Sequence, residues 1–416
     1  MKSIFVQIAS YRDPELRKTV LDMVDKADNP ENLRICIGWQ HGPEENIIDL
    51  LKVVKNLRII DIPYRRSKGV CQIRNRIQQE YRGEEYTLCI DSHHRFAKGW
   101  DTMCIDMHKK LEEKGKKPLL TAYLPSYEPK NDPKGRINEA WRLKFDRFTP
   151  EGCIFFTPEV IPNWENLEEP VRGRFVSAHF IFTEGKWNEE VTYDPNYYFH
   201  GEEINLAVRS FTHGYDLFHP HKVVCWHEYT RVGRTKVWDD DNNWPEKNSK
   251  SHSRNRQLFF MDPRTINFGK FGFGTERSLE EYEMFSGIIF KDRSVQQDTI
   301  DGVYPPNLLT YKTKTEWRKS FKRVFKHCVD LDKNLFKEDD YEFWVFCFLV
   351  GDKEIFREDI SKDEIDNIFL EESKEKSGTL KVWKSCLVND FRPNKAMIWP
   401  KSKKGWSEKI VIDIGD

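Results

Sequence analysis

From Ile4 to Asp91 the chain alternates short apolar runs with amphipathic stretches. Ile4–Ala9, Leu33–Trp39, Leu57–Ile62 and Tyr86–Ile90 read as strands, the last ending at Asp91. Between them Glu15–Lys26, Glu45–Val54 and Gly69–Tyr81 carry helical spacing, with Asp13 as the expected N-cap of the first and Pro14 in its first turn. Strands separated by helices of this length predict βαβ units and a mainly parallel sheet. Ligands of such sheets sit at the carboxyl ends of the strands. Ser10–Asp13, Gln40 and Asp91–Arg95 all fall at such ends.

The middle region, Thr121–Thr230, is less regular and rich in Trp, Tyr, Phe and Pro. Arg174–Phe182 and Lys222–Trp226 are predicted strands, and Glu202–Phe211 a helix. The polar run Asp239–Arg256 is expected to be a mobile loop. Beyond about Asp301 the texture changes. Lys312–Val329 reads as a basic helix, followed by the apolar run Tyr341–Val350 and by strands at Leu380–Val388, Ala396–Pro400 and Glu408–Ile414. The expectation is an α/β domain over residues 1–300 and a smaller β-rich accessory domain over residues 301–416.

Composition narrows the function. The chain has 416 residues, with 67 Lys+Arg against 68 Asp+Glu, and this balance argues against a general nucleic-acid binder. Hydrophobic residues at 38% and aromatics at 13% exclude a disordered chain. No run approaches the roughly 18 apolar residues of a membrane span. The opening apolar run is broken by Gln7 and by Ser10–Asp13, too soon for a signal peptide, so a soluble, cytoplasmic protein is expected. Nine scattered cysteines without a Cys-x-x-Cys pair argue against a disulfide framework and against a thiolate zinc site.

The richest chemistry lies in Tyr86–Phe96. A strand delivers Asp91 and then His93, with Ser92 and Arg95 beside them, and carboxylate plus imidazole suits Mn²⁺ or another divalent cation. The plainer alternative has Asp91 and His93 capping the next element. His227, just past another strand, would complete a three-ligand set, with Glu228 as the competing ligand and an ordinary packed histidine as the alternative. Arg65 and its neighbours, then Arg74 and Asn75, place cations before and on a helix near the same sheet edge. Diphosphate recognition wants such donors, although a solvated basic face would look alike. Glu202 and Glu203 open a helix after Gly201, as a carboxylate pair for chemistry or as compensation of the helix dipole. No P-loop sequence occurs.

Together these pieces resemble a nucleotide-sugar-dependent glycosyltransferase of GT-A type, and more narrowly glycosyltransferase family 60, the hydroxyproline N-acetylglucosaminyltransferases and their relatives. The matching segments are Ile4–Pro14, Gly69–Arg76, Ile90–Phe96, Phe199–Ile204 and Gly272–Ser278. Asp91-Ser92-His93 is also similar to the metal motif of the polypeptide N-acetylgalactosaminyltransferases, where a later histidine joins; His227 would take that place. The resemblance implies a Rossmann-like GT-A domain and retaining transfer from a UDP-sugar, best guessed as UDP-GlcNAc, to a hydroxyl of a protein or glycan acceptor. It further implies Ser10, Tyr11, Arg12 and Asp13 around uridine and ribose, Arg74 on the diphosphate, and Glu202 and Glu203 holding sugar hydroxyls or orienting the acceptor. His93 departs from the usual Asp-x-Asp, and the C-terminal region has no counterpart in the family pattern. Its exposed aromatics could serve a homodimer as well as an acceptor. Two rivals stand beside this reading: a carbohydrate- or protein-binding module without enzymatic activity, and a glycoside hydrolase pairing Glu202 with Asp194 or Glu228.

Overall fold

The computed structural model describes residues 2–230, 233–307, 311–389 and 392–414. The chain divides into two compact units, one of Met1–Asp292 with Gln296–Lys312, the other of Arg293–Val295 with Thr313–Asp416.

In the first unit, β1 (Ile4–Tyr11), α1 (Leu16–Lys26), β2 (Leu33–His41), the single turn α2 (Leu50–Val53), β3 (Leu57–Pro63), α3 (Val70–Gln78) and β4 (Tyr86–Asp91) follow in order. They are succeeded by β5 (His94–Phe96), α4 (Trp100–Glu112), β6 (Pro118–Thr121), the hairpin β7 (Trp141–Phe148) and β8 (Ile154–Val160), and β9 (Val171–Arg172). Then come β10 (Phe180–Glu184), α5 (Trp187–Glu190), α6 (Glu202–Thr212), β11 (Asp216–His219), β12 (Cys225–His227), α7 (Trp244–Leu258) and α8 (Leu279–Ser286). One eight-stranded sheet runs in the order β3-β2-β1-β4-β10-β6-β11-β9. Its β3-β2-β1-β4 half is parallel, whereas β10 runs antiparallel to both β4 and β6. The α/β class expected from the sequence is the one observed.

The parallel half was readable because its central strands are buried on both faces, so that β1 has no exposed residue to interrupt the apolar run. Gln7 is the polar exception. It is fully buried, and its amide donates to Thr87 Oγ1 at 2.9 Å and Asn188 Oδ1 at 2.7 Å. The β1 register pairs Tyr11 with Gln40 and Ala9 with Asp91, which brings the ends of β1, β2 and β4 to one edge. Gly69 starts α3 at φ +100°, where a Cβ would lie 2.3 Å from the Tyr198 carbonyl oxygen. Only glycine lets α3 enter that closely.

Several sequence-based expectations change. Glu45–Val54 is mostly turn, with only α2 helical. Asp13 does not cap α1, whose N-cap is Glu15; its carboxylate accepts the Glu15 N–H at 2.9 Å. Strand β10 begins only at Phe180, because the preceding residues turn to meet α6. Asp239–Arg256 is not a loop but largely α7. That helix starts with Pro245 in its first turn and buries Ser251, His252, Arg254 and Asn255, so its inward face carries no apolar stripe. Lys312–Val329 is helical only over Lys314–Lys319 and then becomes the strand Phe321–Asp332.

In the second unit Phe321–Asp332 pairs antiparallel with Thr379–Val388, while Tyr341–Val350 lies between Lys353–Ser361 and Lys395–Ser402. Trp344, Phe346, Phe348, Ile360, Ile365 and Ile398 pack its core. The helix Lys362–Glu375 is capped by Ser361, whose hydroxyl accepts the Glu364 N–H. None of the nine cysteines forms a disulfide, and eight of them are buried. Among the described residues no helix is long and apolar enough to cross a membrane.

Candidate active site

The end of β4 and the ribbon of β5 with β12 create the site. Strand β12 pairs antiparallel with β5, setting His227 opposite His94, and so returns a distant residue to the turn that carries Asp91 and His93. Asp91 Oδ2 lies 3.7 Å from His93 Nε2 and 3.6 Å from His227 Nε2. One ligand atom from each of the three residues lies within 4.8 Å of the others. The second carboxylate oxygen, Oδ1, accepts from the Arg74 guanidinium at 2.5 Å. Arg74, almost wholly buried on α3, also donates to Cys89 Sγ and the Ile90 carbonyl.

Charges order the cluster. Burial alone would push the Asp91 carboxyl up, but His227, Arg74 and His93 outweigh it and hold Asp91 well below the usual carboxylate range. Burial drives the His227 imidazole well below its ordinary value, with His93 and His94 adding to the effect against Asp91. At neutral pH the ring is therefore uncharged and ready to act as a ligand. Both His227 nitrogens are buried without a hydrogen-bond partner. The 3.6 Å to Asp91 is too long for one. His93 Nδ1 donates to Asp13 Oδ2 at 2.7 Å, which turns Nε2 toward Asp91. A carboxylate holding the far nitrogen of an imidazole is the usual outer support of a metal-binding histidine. This donor set could hold a divalent cation of the Mn²⁺ kind.

Asp13 therefore stands behind His93 and also accepts from Ser92 Oγ at 2.7 Å. Burial would raise its carboxyl, yet the His93 hydrogen bond and the Arg234 charge hold it below the ordinary value. At the β1 and β2 ends, Gln40 donates to the Ser10 carbonyl at 3.2 Å and accepts from Ser67 Oγ at 2.6 Å. Tyr11 and Arg12 both donate to Asp240, and Arg12 lies over the Tyr64 ring, as does Arg65. Asn75 donates to the Tyr193 carbonyl at 2.7 Å, and Arg95 is held by Glu15, the His94 carbonyl and Asp132. These two side chains are engaged in holding elements together.

On α6, Glu202 accepts the Cys71 thiol at 2.8 Å, and burial pushes its carboxyl up to about 7, with Asp91 adding and Arg74 opposing. Glu203 accepts from Ser177 Oγ and the Ala178 N–H, both at 3.0 Å, and burial takes it to about 7 as well. The candidate hydrolase partners are engaged elsewhere: Asp194 accepts from Arg254 at 2.5 Å, and Glu228 pairs with Arg234 at 3.3 Å. The sequence reading missed His94 and His179, whose rings pack against His227, and also Arg234 and Asp240. Their only signal was position: His94 directly follows His93, and Asp240 lies in an acidic run.

Three structures resemble the chain in part. A crystal structure of GalNAc-T7 with UDP, GalNAc and Mn²⁺ aligns at 13% identity and a TM-score of 0.43, covering 68% of this chain and 54% of that one. The chain thus spans about half the length of that relative. S. aureus TarS 1–349 in complex with UDP-GlcNAc aligns at 10% identity and a TM-score of 0.40, covering 65% and 69%. The same protein with UDP gives 11% and 0.37, covering 67% and 76%. No curated protein matches the chain. The family model described as Glycosyltransferase (GlcNAc) matches residues 3–55 and 49–292, well over half of the sequence. The chain belongs to this glycosyltransferase (GlcNAc) family.

Proposed function

We propose that the chain is a metal-dependent, retaining glycosyltransferase that moves a sugar, in the first instance N-acetylglucosamine, from a UDP-sugar to a hydroxyl of a protein or glycan acceptor. Family membership and the resemblance to glycosyltransferase family 60 support this reading. The observation that carries it is the convergence of Asp91, His93 and His227 beside the buried Arg74. Asp91, His93 and His227 would hold Mn²⁺ or another divalent cation, which supplies positive charge for the leaving diphosphate.

The chain's own residues do the rest. Asp13 fixes the His93 ring, and Arg74 balances the charge of Asp91 and adds a cation on the diphosphate side. Ser10, Tyr11, Arg12 and Gln40 line the edge where the nucleoside would lie, with Asp240 holding Tyr11 and Arg12. A carboxyl with a value of about 7 keeps about half its protons at neutral pH, which weakens Glu202 as a nucleophile and lets its protonated form donate a hydrogen bond to a sugar hydroxyl. Retention then follows from attack on the face the leaving group departs from. The anomeric bond to the phosphate oxygen breaks, the acceptor oxygen bonds to the anomeric carbon, and its proton passes to the departing diphosphate.

The test is UDP-sugar hydrolysis across a donor panel, with Mn²⁺ and with EDTA, for the wild type, Asp91→Asn and His227→Gln. Slow hydrolysis of one donor, lost with EDTA and in both folded variants, would support the proposal and identify the sugar. No hydrolysis of any donor, together with no calorimetric UDP binding, would overturn it. Glycan binding independent of metal would then point to the binding module.

A further inference from the structure

A second cluster lies beside the N-terminus of α6. Cys153 follows the turn at Gly152 and leads into β8, His200 precedes α6 by two residues, and His252 sits in α7. One ligand atom from each of the three lies within 4.8 Å of the others. We propose that Cys153, His200 and His252 bind a zinc ion that ties the β7–β8 hairpin, α7 and the start of α6 together, distinct from the cation at Asp91. It would revise the expectation, drawn from the cysteine spacing, that no thiolate zinc site is present. The ligands come from three separate segments, so no sequence spacing could reveal them.

Geometry and donor chemistry carry the proposal. His200 Nδ1 lies 3.2 Å from His252 Nε2. Two nitrogens on a tetrahedral zinc at about 2.0–2.1 Å stand roughly 3.3–3.4 Å apart. Without a cation, two neutral imidazoles facing each other at this distance can share only one proton, and the Asn248 amide approaches the same His252 nitrogen at 3.3 Å. Burial takes His200 down to about 4 and lowers His252 as well, so both rings are neutral ligands at physiological pH. The Glu151 carboxylate, which acts electrostatically on both rings, favours a positive charge between them.

The cysteine is placed as a ligand should be. Its backbone is fixed by hydrogen bonds to Thr149 at 2.8 Å and 3.2 Å, and Asn255 donates to its sulfur at 3.6 Å. Gly201, at φ +100°, leaves the sulfur its space, since a Cβ there would stand 3.2 Å from it. Thiolate with two imidazoles is softer than the carboxylate–imidazole set at Asp91, so zinc is preferred here where Mn²⁺ suits the other site. The fourth position is left to solvent.

The experiment uses the full chain, stripped with a chelator and titrated with Co²⁺, a spectroscopic substitute for zinc. Cobalt bound to a thiolate gives a charge-transfer band in the near ultraviolet that carboxylate–imidazole cobalt lacks, so the band reports this site alone. It is expected in the wild type and in Asp91→Asn, it should vanish on adding Zn²⁺, and it should be absent from Cys153→Ser. Should Cys153→Ser fail to fold by circular dichroism, His200→Gln decides, with the band weakened or lost. No band in the wild type, or an undiminished band in the folded variant, overturns the proposal.

Discussion

The buried carboxylate pair makes a signed prediction about Glu203→Gln. Burial, with the charges of Glu202 and Asp91 adding, lifts Glu203 from an ordinary 4.5 to about 7 against the Ala178 and Ser177 hydrogen bonds. The native state therefore holds more protons than the unfolded chain between those values, and stability falls as pH rises through that window. At 1.36 kcal/mol per pH unit the full loss is about 3 kcal/mol; partial exposure of the side chain trims it to about 2 kcal/mol between pH 5 and pH 8. Glutamine keeps an oxygen for the Ser177 and Ala178 donors and cannot ionise. The stability of Glu203→Gln relative to wild type should therefore improve by about 2 kcal/mol from pH 5 to pH 8, whatever its constant offset. Thermal scans in EDTA, which keeps any divalent cation away from Asp91, should show several degrees of relative gain at the higher pH. A difference between the two proteins that is the same at both pH values, or that widens against the variant at pH 8, would refute the reasoning.

Three further outcomes are expected. Arg74→Met should destabilise the first unit by about 2–3 kcal/mol in urea unfolding, because Asp91, 29% exposed, then loses its buried countercharge but keeps some water, whereas Arg74→Lys should recover part of it. Gly201→Ala should cost about 1–3 kcal/mol through its positive φ and the tight approach to Cys153 Sγ, read from thermal denaturation. Lys384→Met in the second unit should be neutral or mildly stabilising. Its partners Glu358 and Glu364 lie 3.2 Å and 2.8 Å away but keep 47% and 42% side-chain exposure, so water can solvate them once the buried ammonium is gone.

The legible parts of the molecule were those where local pattern and tertiary setting agree. Strands β1, β2 and β4 announce themselves because burial on both faces removes most polar residues from the run, and Asp91 stands where the last run stops. Helix α7 was hidden for the opposite reason: its inward face bonds rather than packs, as when Ser251 Oγ accepts the Tyr198 N–H and Arg254 grips Asp194. The strand Phe321–Asp332 was hidden by Lys322, Arg323 and Lys326, which give a basic tract whichever way the backbone turns. Register was beyond reach altogether. Nothing in the sequence pairs β5 with β12, yet that pairing is what brings His227 to Asp91.

The same limit explains why the sequence nominates Asp91, His93 and His227 as one cluster but does not reveal the bonds of Asp13, which the resemblance places near the nucleoside. Residue type and a strand end are enough to nominate Asp91 and His93. The role of Asp13 depends on which way its carboxylate turns, and the structure turns it to His93 Nδ1 and Ser92 Oγ. Asp91 is divided in the same sense, one oxygen facing Arg74 and the other facing two imidazoles. A carboxylate so divided cannot lose either neighbour without upsetting the other. Removing Arg74 raises the Asp91 pKa and weakens it as a ligand, while removing the imidazoles leaves Arg74 to bind Asp91 alone. The α3 helix that carries Arg74 also presents Cys71 to Glu202, so the helix links the Asp91 end of β4 to the carboxylates that open α6.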